Sequence, residues 1–123
     1  MIGGSMSLEK YLAKQRNLYS NTFAESNRAL SAYHLAVMSL EHGSSSAATA
    51  ASLLLSLEDG SKFNLQNLIK FDTVNRAHAD LVILGCIAHD YSPSKWMTDA
   101  GYDGNELMDK LRQKWLSSVE VNL

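Results

Sequence analysis

The chain has 123 residues, of which 46% are hydrophobic and 20% are charged, a composition typical of one globular domain and not of a disordered or fibrous chain. Eleven basic and thirteen acidic side chains leave a net charge of -2, which gives no reason to expect nucleic acid as a partner. The single cysteine, Cys86, cannot form an internal disulfide, so nothing in the sequence points to secretion.

No stretch of the sequence has the length of a membrane span or the pattern of a signal peptide. The longest apolar stretches, residues 47–57 and 81–88, are shorter than the about 18 residues that a span needs. We expect residues 1–6 to be a cloning remnant ahead of a native Met6, and residues 7–123 to form a single helical domain. By elimination, we expect a cytoplasmic protein without a membrane partner.

The first predicted helix begins at its N-cap Ser7 and runs to about His42. Gly43 is predicted to end it in the left-handed conformation. Weak helix formers at residues 20–27 mark the place where the helix would break in two, if it breaks. Positions that are spaced by about 3.5 residues on average form one stripe along this helix. The positions on this stripe are Leu12, Arg16, Tyr19, Phe23, Ser26, Leu30, Tyr33, Val37 and Leu40.

The middle of the sequence predicts a second helix and a short helical turn. Ser44 to Ser46 offer N-caps for a helix over residues 47–57, which Asp59 and Gly60 close. Residues 63–68 then predict a cap followed by one turn of helix. The second half of the second helix, with Leu53, Leu54, Leu55 and Leu57, is apolar most of the way round, which suits a helix held between others.

The most apolar predicted helix begins at the N-cap Asp72 and runs from Thr73 to about His89. Eight successive apolar residues, 81–88, favour it as the central helix of the fold. Gly85 costs up to about 1 kcal/mol relative to alanine within a helix, and a close crossing there would compensate. The stripe predicted to face the core is Val74, Ala77, Leu81, Leu84 and Ala88, and Val82, Ile83 and Ile87 widen it. The residues predicted to surround it are Leu53, Leu54, Leu107, Leu111 and Trp115.

Two shorter helices complete the prediction. Ser92 caps a turn with Pro93 at its first position, and Gly101 stops that turn. Asp103, with Glu106 three residues later, begins the last helix, which runs to about residue 119. No stretch alternates polar and apolar residues for long enough to predict a strand. The fold class is therefore all-α, a compact bundle of four or five helices with a long N-terminal helix.

Three residues are weak candidates for metal ligands. Cys86 and His89 lie one helical turn apart, and His78 lies eight residues before Cys86. A structural zinc site needs four ligands and a catalytic site needs three, and no further soft ligand follows. A buried thiol beside a histidine at a helix C-terminus is the simpler interpretation. No nucleophile or phosphate-loop motif is present, so we predict no catalytic residue and no cofactor.

A resemblance to a known family covers about residues 44–116. The residues that carry it are Ala50 to Leu54, Phe63 to Leu68, Asp72, Arg76 to His89, the loop with Tyr91 and Pro93, and Trp115. This pattern resembles a small all-helical family of unknown function that is encoded mostly on bacterial plasmids and integrative elements. The chain departs from the family pattern at Asn64, where the family has Asp, and at residues 55–56, where it has tryptophans. The resemblance implies the helical fold and a mobile-element origin, and it implies no catalytic residue.

Three functions follow as hypotheses. The leading one is a non-enzymatic protein-interaction module of a bacterial mobile element that acts through helix-helix contacts. The second is a metal- or small-ligand-binding protein built around His78, Cys86 and His89. The third, by analogy alone, is an antagonist of a host defence complex that binds an unidentified host protein.

The length of the first helix favours a homodimer. An unbroken helix over residues 7–42 would be about 54 Å long, whereas a globule of this size has a diameter of about 35 Å. Either the helix folds back at residues 20–27, or two chains pair along it. Because the repeat of about 3.5 residues passes through that segment without losing phase, we expect pairing. The predicted interface residues are Leu12, Tyr19, Phe23 and Leu30.

Overall fold

The computed structural model describes residues 7–13 and 25–116, and all regular secondary structure in these two ranges is helical. The prediction of an all-α fold is thereby confirmed. Within the same ranges, none of the helices combines the length and the apolar character of a membrane span. The main helices are α1 (Glu25–Glu41), α2 (Ser45–Asp59), α3 (Thr73–His89), α4 (Pro93–Asp99) and α5 (Gly104–Leu111). A 3-10 helix (Leu65–Lys70) precedes α3, and a π-helical turn (Arg112–Leu116) follows α5.

The predicted N-caps are confirmed by hydrogen bonds from first-turn amides to side-chain oxygens. These bonds satisfy donors that have no partner inside the helix, which is why serine, aspartate and asparagine precede the helices. The caps and their donors are Ser7 with Lys10 N at 3.2 Å, Ser44 with Ala47 N at 3.2 Å, Asn64 with Gln66 N at 3.0 Å, Asp72 with Asn75 N at 2.8 Å, Ser92 with Lys95 N at 3.3 Å and Asp103 with Glu106 N at 3.1 Å.

Two parts of the first predicted helix are helical in the structure. Residues 8–13 are helical behind the cap Ser7, and α1 covers Glu25–Glu41. Residues 14–24, on which the continuity of the long helix depends, lie outside the described residues, together with the predicted interface residues Tyr19 and Phe23. The predicted end of the last helix near residue 119 also lies outside them.

The prediction that Gly43 ends α1 is wrong. The glycines with positive φ in the described ranges are Gly60 and Gly101. The carbonyls at the end of α1 are instead bound by Lys114, whose Nζ donates to Ser39 O at 2.7 Å, to Leu40 O at 3.0 Å and to His42 O at 2.6 Å. A cation suits the negative end of the helix dipole, so no glycine turn is needed there.

The central helix of the fold is α1 and not α3. It packs against α2, α3, α4 and α5. Leu35, Ala32 and Ala36 on α1 are completely buried. The core continues with Leu53, Leu54 and Leu111 as predicted, and Leu107 and Trp115 pack against it partly buried. The other large side chains that complete it are Leu55, Phe71, Val82, Trp96, Met97 and Met108.

The predicted core face of α3 is wrong for most of its residues, although Val82, which is predicted to widen that face, is buried. Leu84 is 45% exposed and Ile87 is 71% exposed, whereas α3 buries Ala79, Val82 and Cys86. The helix turns its small residues Ala79 and Gly85 inwards, and α1 buries alanines as well, so the two helices can approach closely. Close packing of small residues gains dispersion contacts on that side and leaves the larger leucine and isoleucine side chains outside.

Candidate functional site

An apolar stripe lies on the solvent side of α3. Its exposed members are Val74, Ala77, Leu84, Ile87 and Ala88, and the half-buried Leu81 lies between them. We call these six residues the outer stripe. Positions 74, 77, 81, 84 and 88 follow the spacing of a helix that packs against another helix. A contiguous apolar face of this kind is a candidate interaction surface.

The outer stripe is about 21 Å long at 1.5 Å per residue. Charged side chains lie on α3 between its apolar positions, and Arg76 Nε is 3.8 Å from Asp80 Oδ1. Both of these side chains are well exposed, so this ion pair contributes little to stability. An apolar centre with charged residues beside it is the usual composition of a protein-protein interface.

Two of the predicted interface residues are exposed in the structure. Leu12 is 44% exposed and Leu30 is 53% exposed. Leu30 and Asn75 both line an open groove between α1 and α3, with a volume of about 640 Å³. Asn75 is the lining residue that lies on α3, and the others lie on α1 and in residues 42–46. The other lining residues of the groove include Tyr33, His34, Val37, Met38 and Glu41.

Two stacked histidines bridge α1 and α3. The rings of His34 and His78 lie 4.1 Å apart at an angle of 27°. His34 Nε2 donates to Asn75 Oδ1 at 2.8 Å, and Ser31 Oγ and His78 Nδ1 are hydrogen-bonded at 2.9 Å. Burial, and then the charge of His34, lower the pKa of His78 below its ordinary value. The cluster therefore holds the two helices together best with His78 neutral.

The three metal candidates have separate surroundings. His78 bonds to Ser31 as described, His89 lies edge-on to Trp96 with ring centroids 5.9 Å apart, and Cys86 is buried. Burial, and then the charge of Glu58, raise the pKa of the Cys86 thiol to about 12. A thiol must lose its proton to bind a metal, so this environment disfavours ligation. Within residues 7–13 and 25–116, no three His, Cys, Asp or Glu side chains are arranged to hold a metal ion.

Glu58 forms a polar contact between α2 and α4 that the sequence analysis did not identify. Its carboxylate accepts hydrogen bonds from Ser94 N at 2.9 Å and from Ser94 Oγ at 2.7 Å. Ser94 is buried, and the carboxylate lies at the positive end of α4. The contact therefore anchors a short helix. Since the two residues are 36 positions apart, no local pattern could have indicated it.

The helical fold and the outer stripe define the class of protein at this point: a small helical domain with an apolar helix face on its surface. Comparison of the chain with protein-family models, with curated proteins and with solved structures finds no match. The resemblance to the plasmid-encoded helical family stays a prediction.

Proposed function

We propose that this protein is a non-enzymatic interaction module that associates with a second copy of itself through helix-helix contacts. The observation that carries the proposal is the outer stripe, where Leu84, at a helix-pairing position, is 45% exposed and Ile87 beside it is 71% exposed. By its resemblance, the module belongs to a bacterial mobile element. The module would act by binding through its surface, either as a dimer or as part of an assembly that the dimer joins.

The Ser31-His78 contact supports a structural role for the polar cluster. A serine bonded to a histidine is the arrangement that hydrolases use to activate a nucleophile. Ser31 is 2% exposed and lies in the middle of α1, where a substrate cannot reach its oxygen. The histidine pair therefore serves the packing of α1 on α3, next to the surface that we propose to be functional.

The energy available from the outer stripe alone is modest. Complete burial of an exposed valine, leucine or isoleucine stabilises by roughly 1.5–3 kcal/mol. Val74, Leu84 and Ile87 are already partly covered, so each would gain only a part of that amount. Counted on both copies, these three residues contribute roughly 5–11 kcal/mol, which is comparable with an association cost of roughly 4–15 kcal/mol. The outer stripes alone therefore support a weak dimer.

Sedimentation equilibrium of the full chain at micromolar concentration tests the proposal. We expect a dimer for the parent and a monomer for Leu84→Glu, because the charge would be buried at the interface. Leu65→Glu is the matched control, since Leu65 is 70% exposed but lies on the 3-10 helix, and we expect it to stay dimeric. A monomeric parent, or equal disruption by both variants, would contradict the proposal.

A further inference from the structure

We propose that the groove beside α1 binds a planar organic cation, a small aromatic molecule that carries an amidinium or ammonium group. This is the open groove of about 640 Å³ that Leu30 and Asn75 line. It does not include the outer stripe, so the inference does not rest on the proposed self-association and adds a second activity to the domain.

The groove has the dimensions of a small-molecule site. Its residues on α1 run from Leu30 to Glu41 at the three- and four-residue spacings of one helix face, over about 16 Å. Ser44 and Ser46 at the start of α2 and Asn75 near the start of α3 complete its lining. A volume of about 640 Å³ lies within the roughly 300–1,000 Å³ of pockets that take small ligands.

Two rings in the lining are held in place by rings outside it. Tyr33 stacks on Tyr102 with ring centroids 4.1 Å apart and an angle of 9° between the planes, and His34 stacks on His78. The positions of Tyr33 and His34 are therefore fixed before a ligand arrives, so binding loses little side-chain freedom. Aromatic rings and the thioether of Met38 pack well against a flat aromatic molecule, which favours this class of ligand.

The polar groups of the lining differ in what they already bind. Asn75 Oδ1 accepts from His34 Nε2, and Ser44 Oγ and Ser46 Oγ are hydrogen-bonded to each other at 3.1 Å. The carboxylate of Glu41, in contrast, forms no hydrogen bond or ion pair within residues 7–13 and 25–116, and Glu41 is exposed. Glu41 is therefore available to bind a ligand.

Charge in the groove selects a cation. With histidines neutral, Glu41 is the only fully charged side chain among the described lining residues. An amidinium can donate a pair of parallel hydrogen bonds to a carboxylate, as a guanidinium does. The start of α2 is the competing feature, because a helix N-terminus attracts anions. There Ser44 Oγ already accepts from Ala47 N at 3.2 Å, so we expect Glu41 to determine the sign of the ligand.

Titration of the full chain with three probes that share one ring tests the proposal. Benzamidine is a cation, benzamide is neutral and benzoate is an anion, so the series changes the charge and little else. At about pH 7.5, where an ordinary histidine is mostly neutral, we expect benzamidine to shift the methyl NMR signals of Leu30, Val37 and Met38 with a millimolar dissociation constant. Benzamide should bind about fivefold or more weakly, and benzoate should leave these signals unchanged.

A neutral variant with a matched control identifies the group that binds the cation. Glu41→Gln removes the carboxylate at an exposed position, and we expect benzamidine to bind it as weakly as benzamide binds the parent. Glu106→Gln removes the same charge on α5, where Glu106 pairs with Lys110, and should leave the binding of benzamidine unchanged. Circular dichroism verifies that both variants fold.

Several outcomes would overturn the assignment of a cation. These are the absence of a shift with benzamidine, equal binding of all three probes, and tighter binding of benzoate than of benzamidine. An equal loss in Glu41→Gln and Glu106→Gln would overturn it too, because the total charge of the chain would then explain the effect. The probe series uses the parent chain, so its result does not depend on the folding of a variant.

Discussion

The side chain of Arg28 crosses α3 directly over Gly85. A Cβ atom at position 85 would lie 2.5 Å from Arg28 Cδ and 2.8 Å from Arg28 Cγ, closer than non-bonded carbons approach. The Arg28 guanidinium continues onto the ring of Trp96, with Cζ 4.1 Å from the ring centroid. Glycine is present in the middle of α3 because the arginine stem occupies the space of its side chain. The close crossing predicted at Gly85 is confirmed.

We expect Gly85→Ala to destabilise the protein although alanine is the better helix former. Overpacking against the buried Arg28 stem should lower the free energy of unfolding by roughly 1–3 kcal/mol. The higher helix propensity of alanine should raise it by at most about 1 kcal/mol, so the net effect is a loss. Urea unfolding of Gly85→Ala in the parent and in an Arg28→Ala background gives the comparison. In the second background the steric conflict is absent, and Gly85→Ala should be neutral or stabilising. A loss of equal size in both backgrounds would contradict this explanation.

The elements of the fold that could be predicted from the sequence are those determined by neighbouring residues. Asp72, Ser92 and Gly60 define helix ends through bonds or backbone angles within a few positions. Which face of α3 is buried could not be predicted, because residues 81–88 are apolar on every side and periodicity gives no direction. The sequence did predict the spacing of the outer stripe, but placed the stripe in the core.

The capping of α1 was unpredictable for a different reason. Lys114 binds carbonyls more than 70 positions earlier in the chain, such as Leu40 O at a separation of 74. The pairing of His34 with His78 has the same origin, because it exists only once α1 lies on α3. Contacts of this kind are set by the packing of helices, and a single sequence contains no periodic signal for them.

Truncation of two leucines compares the core with the outer stripe. Leu54→Ala should cost roughly 2–5 kcal/mol, because Leu54 is completely buried and its removal leaves a cavity. Leu84→Ala should cost less than about 1 kcal/mol in the monomer, because almost half of that side chain is exposed. Chemical unfolding at a concentration below the dimerisation range measures both. A larger loss for Leu84→Ala than for Leu54→Ala would show that α3 is the central helix of the fold.

Replacement of Lys114 tests the capping of α1 from a distance. Lys114→Met removes three hydrogen bonds from a cation to the carbonyls of Ser39, Leu40 and His42. Because these are charge-assisted bonds, we expect a loss of roughly 1.5–3 kcal/mol. Lys110→Met is the control, since Lys110 makes an exposed pair with Glu106 at 3.3 Å and should cost less than about 0.5 kcal/mol. Similar losses for the two variants would show that the long-range cap contributes nothing.

The histidine cluster should make the stability depend on pH. The pKa of His78 is lowered in the folded protein from 6.5, so the unfolded chain takes up a proton at a higher pH than the folded one. Stability from this group is therefore complete above a pH of about 6.5 and falls as the solution becomes more acidic. We expect Tm to decrease on acidification below that pH, and His78→Asn, which keeps a polar group near Ser31, to reduce the decrease. His42→Asn, at an exposed position, should leave it unchanged, and an unaltered decrease in His78→Asn would contradict this origin.

Hydroxyl-radical footprinting of the full chain over a range of protein concentrations tests the interaction surface most directly, since it measures exposure and association at the same side chains. At low concentration we expect Leu84 and Ile87 to be oxidised readily, as their exposure requires. As the concentration rises through the micromolar range, they should become protected, while the exposed Leu65 and Ile69 on the 3-10 helix remain accessible. Protection of Leu84 at every concentration would show that this side chain lies in the core. Oxidation that does not change with concentration would contradict an interaction through the outer stripe.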